Sequence, residues 1–151
     1  MHKDNGRAKV ADFLRRAFMS SILSTLVLDA RLRHRRFYGA FLMFAAILLM
    51  GSIPGARAEI GQYGSGILLH SVAYASLTFL LYTGSTGSRG RRALLAVLTV
   101  VVMGALDEFV QSFLPYRMGS PTDWLVDCTA SLVTTTLLWR FMPEPIESSN
   151  L

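Results

Sequence analysis

The sequence predicts an all-α membrane protein, a polytopic bundle of about four transmembrane helices preceded by an N-terminal amphipathic helical segment. Three observations predict this fold class. Hydrophobic residues make up 52% of the 151 positions and charged residues only 17%. The charges crowd into residues 1–36, whereas residues 37–142 contain four apolar stretches close to the length of about 20 residues that crosses a bilayer. Proline and glycine lie between these stretches, where helices end.

Composition divides the chain into three parts, which we interpret as one domain with two flanking segments. Residues 1–36 form a basic cytoplasmic or interfacial segment, residues 37–142 the transmembrane domain, and residues 143–151 a short C-terminal tail. Within the first part, the apolar run at 17–28 follows a pair of arginines and is too short to span a bilayer. We expect a helix lying on the inner membrane surface there, unless translation starts further downstream.

Each apolar stretch is bounded by residues that end or begin helices. Pro54 cannot continue the first helix, Pro115 stops the third, and Pro121 favours the start of the fourth. The first stretch together with residues 56–58 also fits a signal peptide with its cleavage site, and cleavage would leave three helices. The predicted spans cover residues 37–53, 64–82, 93–114 and 122–141.

The placement of arginines indicates how the helices cross the membrane, because cytoplasmic loops carry an excess of Lys and Arg. With four spans, the basic segments before the first helix, between the second and third, and after the fourth all lie on one side. The segments on the opposite side carry only Arg57 and Arg117. We therefore expect both termini in the cytoplasm.

Ionisable side chains inside a span need an explanation, because an Asp at the centre of an inserted helix costs about 3 kcal/mol. Adjacent helices run in opposite directions, so residues early in the second and fourth spans and late in the third reach the same depth. Asp107 shares a polar face with Glu108 and Gln111 and reaches this depth too, although facing interfacial water is an alternative for it. The topology predicts one outward-facing polar site, formed by His70, Tyr74, Glu108, Gln111, Arg117, Asp123 and Asp127.

Other interpretations of this polar cluster stay open. Arg117 paired with Asp123 or Glu108 would lock the outer loop without binding anything, and Asp123 would cap its own helix. His70 alone is typical of a hydrogen-bonded structural histidine. No metal-ligand spacing and no cofactor motif is present, so we expect neither a metal nor a cofactor. The single cysteine, Cys128, fits a packing role.

A spaced motif covers the end of the third helix and the start of the fourth: Glu108-x-x-Gln111-x-Phe113-x-Pro115-x-Arg117-x-x-Ser120-x-x-Asp123. This run resembles the signature of the VanZ-like membrane protein family, and His70 with Tyr74 resembles that family's second helix. The chain departs from the family pattern at Ile67, Asp127 and Ala130. The resemblance implies a small bacterial inner-membrane protein in a family whose founding member lowers sensitivity to the glycopeptide antibiotic teicoplanin.

Three classes of function follow. We favour a cell-envelope protein whose polar site binds a membrane lipid, with Arg117 meeting the anionic headgroup of a lipid-linked envelope component. The second class is a membrane-embedded enzyme with Glu108 or Asp123 as general base and His70 as acid, although the sequence identifies no catalytic residue. The third is a small ion-coupled transporter. Nucleic acid is not expected as a partner, because the basic residues flank apolar runs rather than interleaving with aromatic residues.

Overall fold

In the computed structural model, which describes residues 29–56 and 65–142, all regular elements are helical. The all-α prediction is confirmed for this part of the chain. The predicted surface helix at 17–28 and the C-terminal tail lie outside the described residues. After a short 3-10 turn at Ala30–Leu32 come four α-helices: α1 (Arg33–Gly51), α2 (Gly66–Gly84), α3 (Arg89–Ser112) and α4 (Pro121–Phe141).

Serine residues begin three of these helices. Ser65, Ser88 and Ser120 are the N-caps of α2, α3 and α4, and each side-chain oxygen accepts a hydrogen bond from the backbone amide three residues later. Such a cap stabilises a helix by about 1 kcal/mol. Pro121 lies in the first turn of α4, as predicted. The N-cap of α4 is therefore Ser120 and not Asp123, whose backbone amide donates to the Ser120 side chain.

Two helices begin earlier than their apolar stretches predict. α1 starts at Arg33 rather than near residue 37, and α3 starts at Arg89 rather than near residue 93. Hydropathy marks only the apolar part of a helix, whereas arginine is a good helix former. Both helices therefore extend by about one turn into basic sequence.

Helix α2 is central in the described bundle. It packs against α1, α3 and α4, whereas α1 makes little contact with α3. Near the end of α2, a Cβ added to Gly84 would lie 2.5 Å from the backbone nitrogen of Phe37 in α1. Glycine at this position allows the two helix backbones to approach closely. The apolar core between the helices includes Ala40, Phe44, Leu77, Leu81, Ala96, Val100 and Met103.

The helices run in alternating directions, so the bundle has two different ends. The ends of α1 and α3 and the starts of α2 and α4 form what we name the site end, where the Tyr116 hydroxyl donates to the carbonyl oxygen of Ser52. The opposite end is the arginine end. There Arg36, in the first turn of α1, donates to the carbonyl oxygen of Thr83 near the end of α2, at 3.1 Å. The alternating helix directions therefore bring the predicted site residues of α2, α3 and α4 to the same end of the bundle.

Two helices in the described part of the chain, α2 and α3, are long and apolar enough to cross a membrane, with mean hydropathies of 1.4 and 2.1. The other two helices, α1 and α4, are not among these candidates. α1 opens with three arginines in its first turn, and α4 contains Asp123, Asp127 and Arg140. Length and composition thus identify two candidate spans, whereas the sequence predicts four.

Candidate functional site

Predicted site residues from α2, α3, α4 and the segment between α3 and α4 all lie at the site end. Hydrogen bonds divide most of them into two groups, one centred on Asp107 and one centred on Asp127. The predicted residues are His70 and Tyr74 on α2, Glu108 and Gln111 on α3, Asp123 and Asp127 on α4, and Arg117 in the connecting segment.

The first group is a chain of four hydrogen-bonded side chains. The Tyr74 hydroxyl donates to Oδ2 of Asp107 at 3.1 Å, and Nε2 of Gln111 donates to Oδ1 of the same carboxylate at 2.8 Å. Oε1 of Gln111 in turn accepts a hydrogen bond from the guanidinium of Arg117. Gln111 therefore couples a buried carboxylate to the arginine of the connecting segment.

The position of Asp107 decides between two interpretations of this residue. Asp107 is 2% exposed and sits between Tyr74 and Gln111, so it does not face interfacial water. The spacing of Asp107 and Gln111, one helical turn apart, places both on one face of α3. The partner of Asp107 on the neighbouring helix, Tyr74, follows only from the packing of α2 on α3.

Arg117 contacts an amide rather than an acid. One interpretation left open by the sequence paired it with Asp123 or Glu108, but its hydrogen-bond partner is the neutral amide of Gln111. Among the residues that the structure describes, no carboxylate forms an ion pair with Arg117, and its Nε is buried without a hydrogen-bond partner. This positive charge therefore has capacity for an external anion.

The second group lies between α2 and α4. Nδ1 of His70 is 2.9 Å from Oδ1 of Asp127, and Nε2 of the same ring is 3.8 Å from Oδ2 of Asp123. The imidazole also stacks on the Tyr74 ring, with the ring centroids 6.0 Å apart and the planes 2° from parallel. Asp127 is fully buried. Asp127 at Nδ1 and the stacked Tyr74 ring together hold the His70 imidazole in one orientation.

Glu108 links α3 to the segment that precedes α4. One carboxylate oxygen, Oε2, accepts a hydrogen bond from the backbone amide of Ser120, the N-cap of α4. The adjacent Gly119 packs so closely that an added Cβ would lie 2.5 Å from the carbonyl oxygen of Glu108. Ser120 is thus part of the site through its backbone, a role that its side-chain type did not predict.

Two carboxylate oxygens, one in the second group and one on Glu108, have no hydrogen-bond partner. They are Oε1 of Glu108 and Oδ2 of Asp127, and both atoms are buried. An unpaired buried polar atom usually costs about 1–3 kcal/mol, and more when it is charged. Both oxygens of Asp107, by contrast, accept hydrogen bonds. Among the site carboxylates with buried oxygens, Glu108 and Asp127 are thus the two with an unsatisfied acceptor.

A cavity of about 400 Å³ adjoins the first group. Its apolar wall comes mainly from one face of α1 and the adjoining face of α2. The polar end of the cavity lies where α2 and α3 meet the segment before α4. The apolar wall contains Met43, Ala46, Ile47, Met50, Leu69 and Ala73, and the polar end contains His70, Tyr74, Asp107, Gln111 and Arg117.

Two residues of the second group, together with Glu108, have the chemistry of a metal site. The spacing of these residues in the sequence did not predict such a site. Potential ligand atoms of His70, Glu108 and Asp127, one from each side chain, all lie within 4.8 Å of one another. The three residues come from three different helices, so no local spacing in the sequence reveals them. Imidazole and carboxylate are both common ligands of divalent metals.

Compared with known protein families, with curated proteins and with solved structures, the chain matches none. A functional assignment therefore depends on the chemistry and geometry of the site itself.

Proposed function

We propose that this chain is a VanZ-like protein of the bacterial inner membrane, with four spans and an outward-facing polar site that binds the anionic headgroup of a lipid-linked cell-envelope component. The cavity is the observation that carries the proposal. It combines an apolar wall long enough to hold part of an acyl or prenyl chain with a polar end that contains Arg117. A lipid with a charged headgroup has the same two chemical parts.

The distribution of polar and apolar side chains supports a membrane environment. Each helix exposes large apolar residues, such as Leu42, Ile67, Val102 and Leu132, all more than half accessible. The helix of a soluble core would be mostly buried, but only 33% of the apolar window of α2 and 39% of that of α3 is buried. A surface this apolar on every helix is typical of contact with lipid tails.

The arginines support the orientation of the proposed four-span bundle. The arginine end contains the basic first turns of α1 and α3 together with Arg140 at the end of α4. The rule that cytoplasmic loops are positively charged then assigns this end, and with it both termini, to the cytoplasm. The site end would face outward, toward the cell-envelope compartment.

Arg117 is the residue that we expect to recognise the anion. A guanidinium can donate two parallel hydrogen bonds to a phosphate or carboxylate, and Gln111 holds one of its nitrogens in place. His70 and Tyr74 line the same end of the cavity and would orient the headgroup. The α1 side chains would contact the hydrocarbon chain.

The proposal is tested by measuring how the purified protein in nanodiscs binds a polyprenyl phosphate and the matching uncharged polyprenol. We expect Arg117→Ala to weaken binding of the phosphate by about tenfold or more, since a hydrogen bond to a charged group contributes about 1.5–3 kcal/mol. Arg117→Lys should restore only part of the affinity, because an ammonium cannot bind bidentately.

The matched control is Arg91→Ala, which removes the same charge at the exposed arginine end. It should bind the phosphate as the unaltered protein does. Equal binding of the polyprenol and its phosphate, or an Arg117→Ala variant with unchanged affinity, would refute the proposed anion site.

The family resemblance extends the proposal to antibiotic response. Expression of the chain should then lower sensitivity to teicoplanin, and Arg117→Ala should abolish the effect while the protein remains in the membrane. Unchanged sensitivity on expression would limit the proposal to lipid binding.

A second candidate function is a membrane-embedded acid–base enzyme. The observation that favours it is the short contact between His70 and Asp127, which orients an imidazole toward the cavity. Turnover of a bound lipid that is lost in Glu108→Gln or His70→Gln, without loss of binding, would distinguish this function from simple recognition.

A further inference from the structure

We propose that His70, Glu108 and Asp127 form a binding site for a first-row divalent metal ion of the Zn²⁺ or Mn²⁺ type. This inference goes beyond the proposed lipid recognition and does not depend on it. One ligand atom from each of the three side chains lies within 4.8 Å of the others. α2, α3 and α4 each contribute one ligand, so an ion would join three helices.

The distances are close to those that a bound ion requires. Zinc binds histidine nitrogen and carboxylate oxygen at about 2.0–2.2 Å, so ligand atoms around a tetrahedral ion are about 3.4 Å apart. The three groups, whose ligand atoms now lie within 4.8 Å of one another, would have to move closer by about 1.4 Å or less to reach that spacing. Asp123 lies next to the site, with Oδ2 3.8 Å from Nε2 of His70, and is placed to act as a fourth ligand or as a hydrogen-bond acceptor.

The unpaired carboxylate oxygens are a second, independent indication of a ligand. Asp127 has no exposed surface, yet its Oδ2 has no hydrogen-bond partner. This atom faces α3, since it lies 3.1 Å from the position of a Cβ built on Gly104. Gly104 is one turn before Glu108, whose Oε1 is also buried and unpaired. Each of the two carboxylates therefore has one buried oxygen without a donor.

Charge balance favours a cation in this space. The site end contains four carboxylates in the described residues, but Asp107 is already satisfied by two neutral donors and Arg117 contacts Gln111 rather than an acid. Of the two carboxylates proposed as ligands, Asp127 contacts the imidazole of His70, and Glu108 forms no ion pair with a residue that the structure describes. Buried carboxylates need pairing or metal coordination to stay ionised. A divalent ion supplies two positive charges where the unpaired oxygens lie.

One imidazole with two carboxylates indicates the class of metal. Carboxylate oxygens suit Mg²⁺, Ca²⁺ and Mn²⁺, whereas imidazole suits Zn²⁺ and the later first-row ions. The mixed set therefore selects ions that accept both ligand types and disfavours Ca²⁺, which prefers six or more oxygens. The site shares His70 with the lipid cavity, but neither Glu108 nor Asp127 lines that cavity.

The test uses the full-length protein purified in detergent, stripped with a chelator and equilibrated with Zn²⁺ or Mn²⁺ alone. Elemental analysis should give one ion per chain, and the ion should raise the melting temperature by mass action. Glu108→Gln and Asp127→Asn should each weaken metal affinity by more than about tenfold, since even losing an outer partner of a ligand costs that much. Asp29→Asn, which alters a carboxylate at the arginine end, should bind as before.

Mn²⁺ adds a readout that does not depend on how stable a variant is. Pulsed electron paramagnetic resonance should detect a directly bound nitrogen, and His70→Gln should abolish that signal although His2 and His34 remain. A protein that binds no ion, or that keeps its affinity in Glu108→Gln, would overturn the proposal and favour a proton shared between Glu108 and Asp127. Metal binding that survives in Arg117→Ala distinguishes this site from the lipid site.

Discussion

At the scale of single residues, Asp107 shows how a carboxylate is accommodated inside the bundle without an ion pair. It is almost fully buried, and both of its oxygens accept hydrogen bonds from neutral groups. We predict that Tyr74→Phe lowers the free energy of unfolding by about 1–3 kcal/mol, because Oδ2 of Asp107 loses its donor in a place that water does not reach. Unfolding in mixed micelles measures this change.

The control for Tyr74→Phe is the same substitution at Tyr116, whose hydroxyl donates to Ser52 but whose side chain is 45% exposed. Water replaces that hydrogen bond, so Tyr116→Phe should change stability by less than about 0.5 kcal/mol. Equal effects of the two substitutions would contradict the assigned burial of the Tyr74 and Asp107 pair.

The sequence predicted which residues reach the site end but not which of them pair. His70, Gln111 and Asp127 were assigned from alternating helix direction alone, and their contacts at this end agree with that argument. Which side chains form hydrogen bonds depends on how each helix is rotated about its own axis. Hydropathy does not specify this rotation. Arg117 therefore contacts Gln111 rather than an acid.

At the scale of the elements, the sequence predicted the existence and order of four helices but not where two of them begin. Apolar stretches mark the part of a helix that can lie in lipid or in a core, so the basic first turns of α1 and α3 were missed. The serine N-caps were present in the sequence, and they identify the starts of α2, α3 and α4.

The contact between α1 and α2 makes a prediction about helix packing. Gly84→Ala should destabilise the bundle by about 1–3 kcal/mol, since its Cβ would collide with the backbone of Phe37, which cannot rotate away. Gly39→Ala on α1 is the control, because no atom lies within 4 Å of its added Cβ. That variant should be neutral or more stable by up to about 1 kcal/mol, as alanine favours a helix over glycine. Thermal unfolding of both variants in one detergent compares them directly, and a Gly84→Ala variant as stable as Gly39→Ala would contradict the close approach.

At the scale of the whole molecule, several charged residues of the described helices are buried, whereas many large apolar residues are exposed. This distribution is the reverse of the one in a soluble protein. Arg92, Asp107 and Asp127 are each at most 5% exposed, whereas Leu42 and Val102 are 75% and 65% exposed. The polar interior reaches from the arginine end to the site end. In a bilayer this arrangement would keep these charges away from lipid, and exposed hydroxyls such as those of Thr129 and Thr136 donate to carbonyl oxygens of their own helix.

The proposed crossing of the membrane is predicted to place the two ends of the bundle in different compartments. In a Cys128→Ala background, Met118→Cys at the site end should react with a membrane-impermeant maleimide in spheroplasts, because Met118 is 88% exposed. Thr86→Cys, in the exposed connection between α2 and α3, should react only after permeabilisation. Ile53→Cys should behave like Met118→Cys, since both lie at the site end.

A reporter fused after Leu151 should be cytoplasmic, which requires α4 to cross the membrane despite its three charged residues. Labelling of Met118→Cys and Thr86→Cys from the same side would exclude a crossing by α3, and it would leave Arg117 facing the compartment that the arginines already occupy.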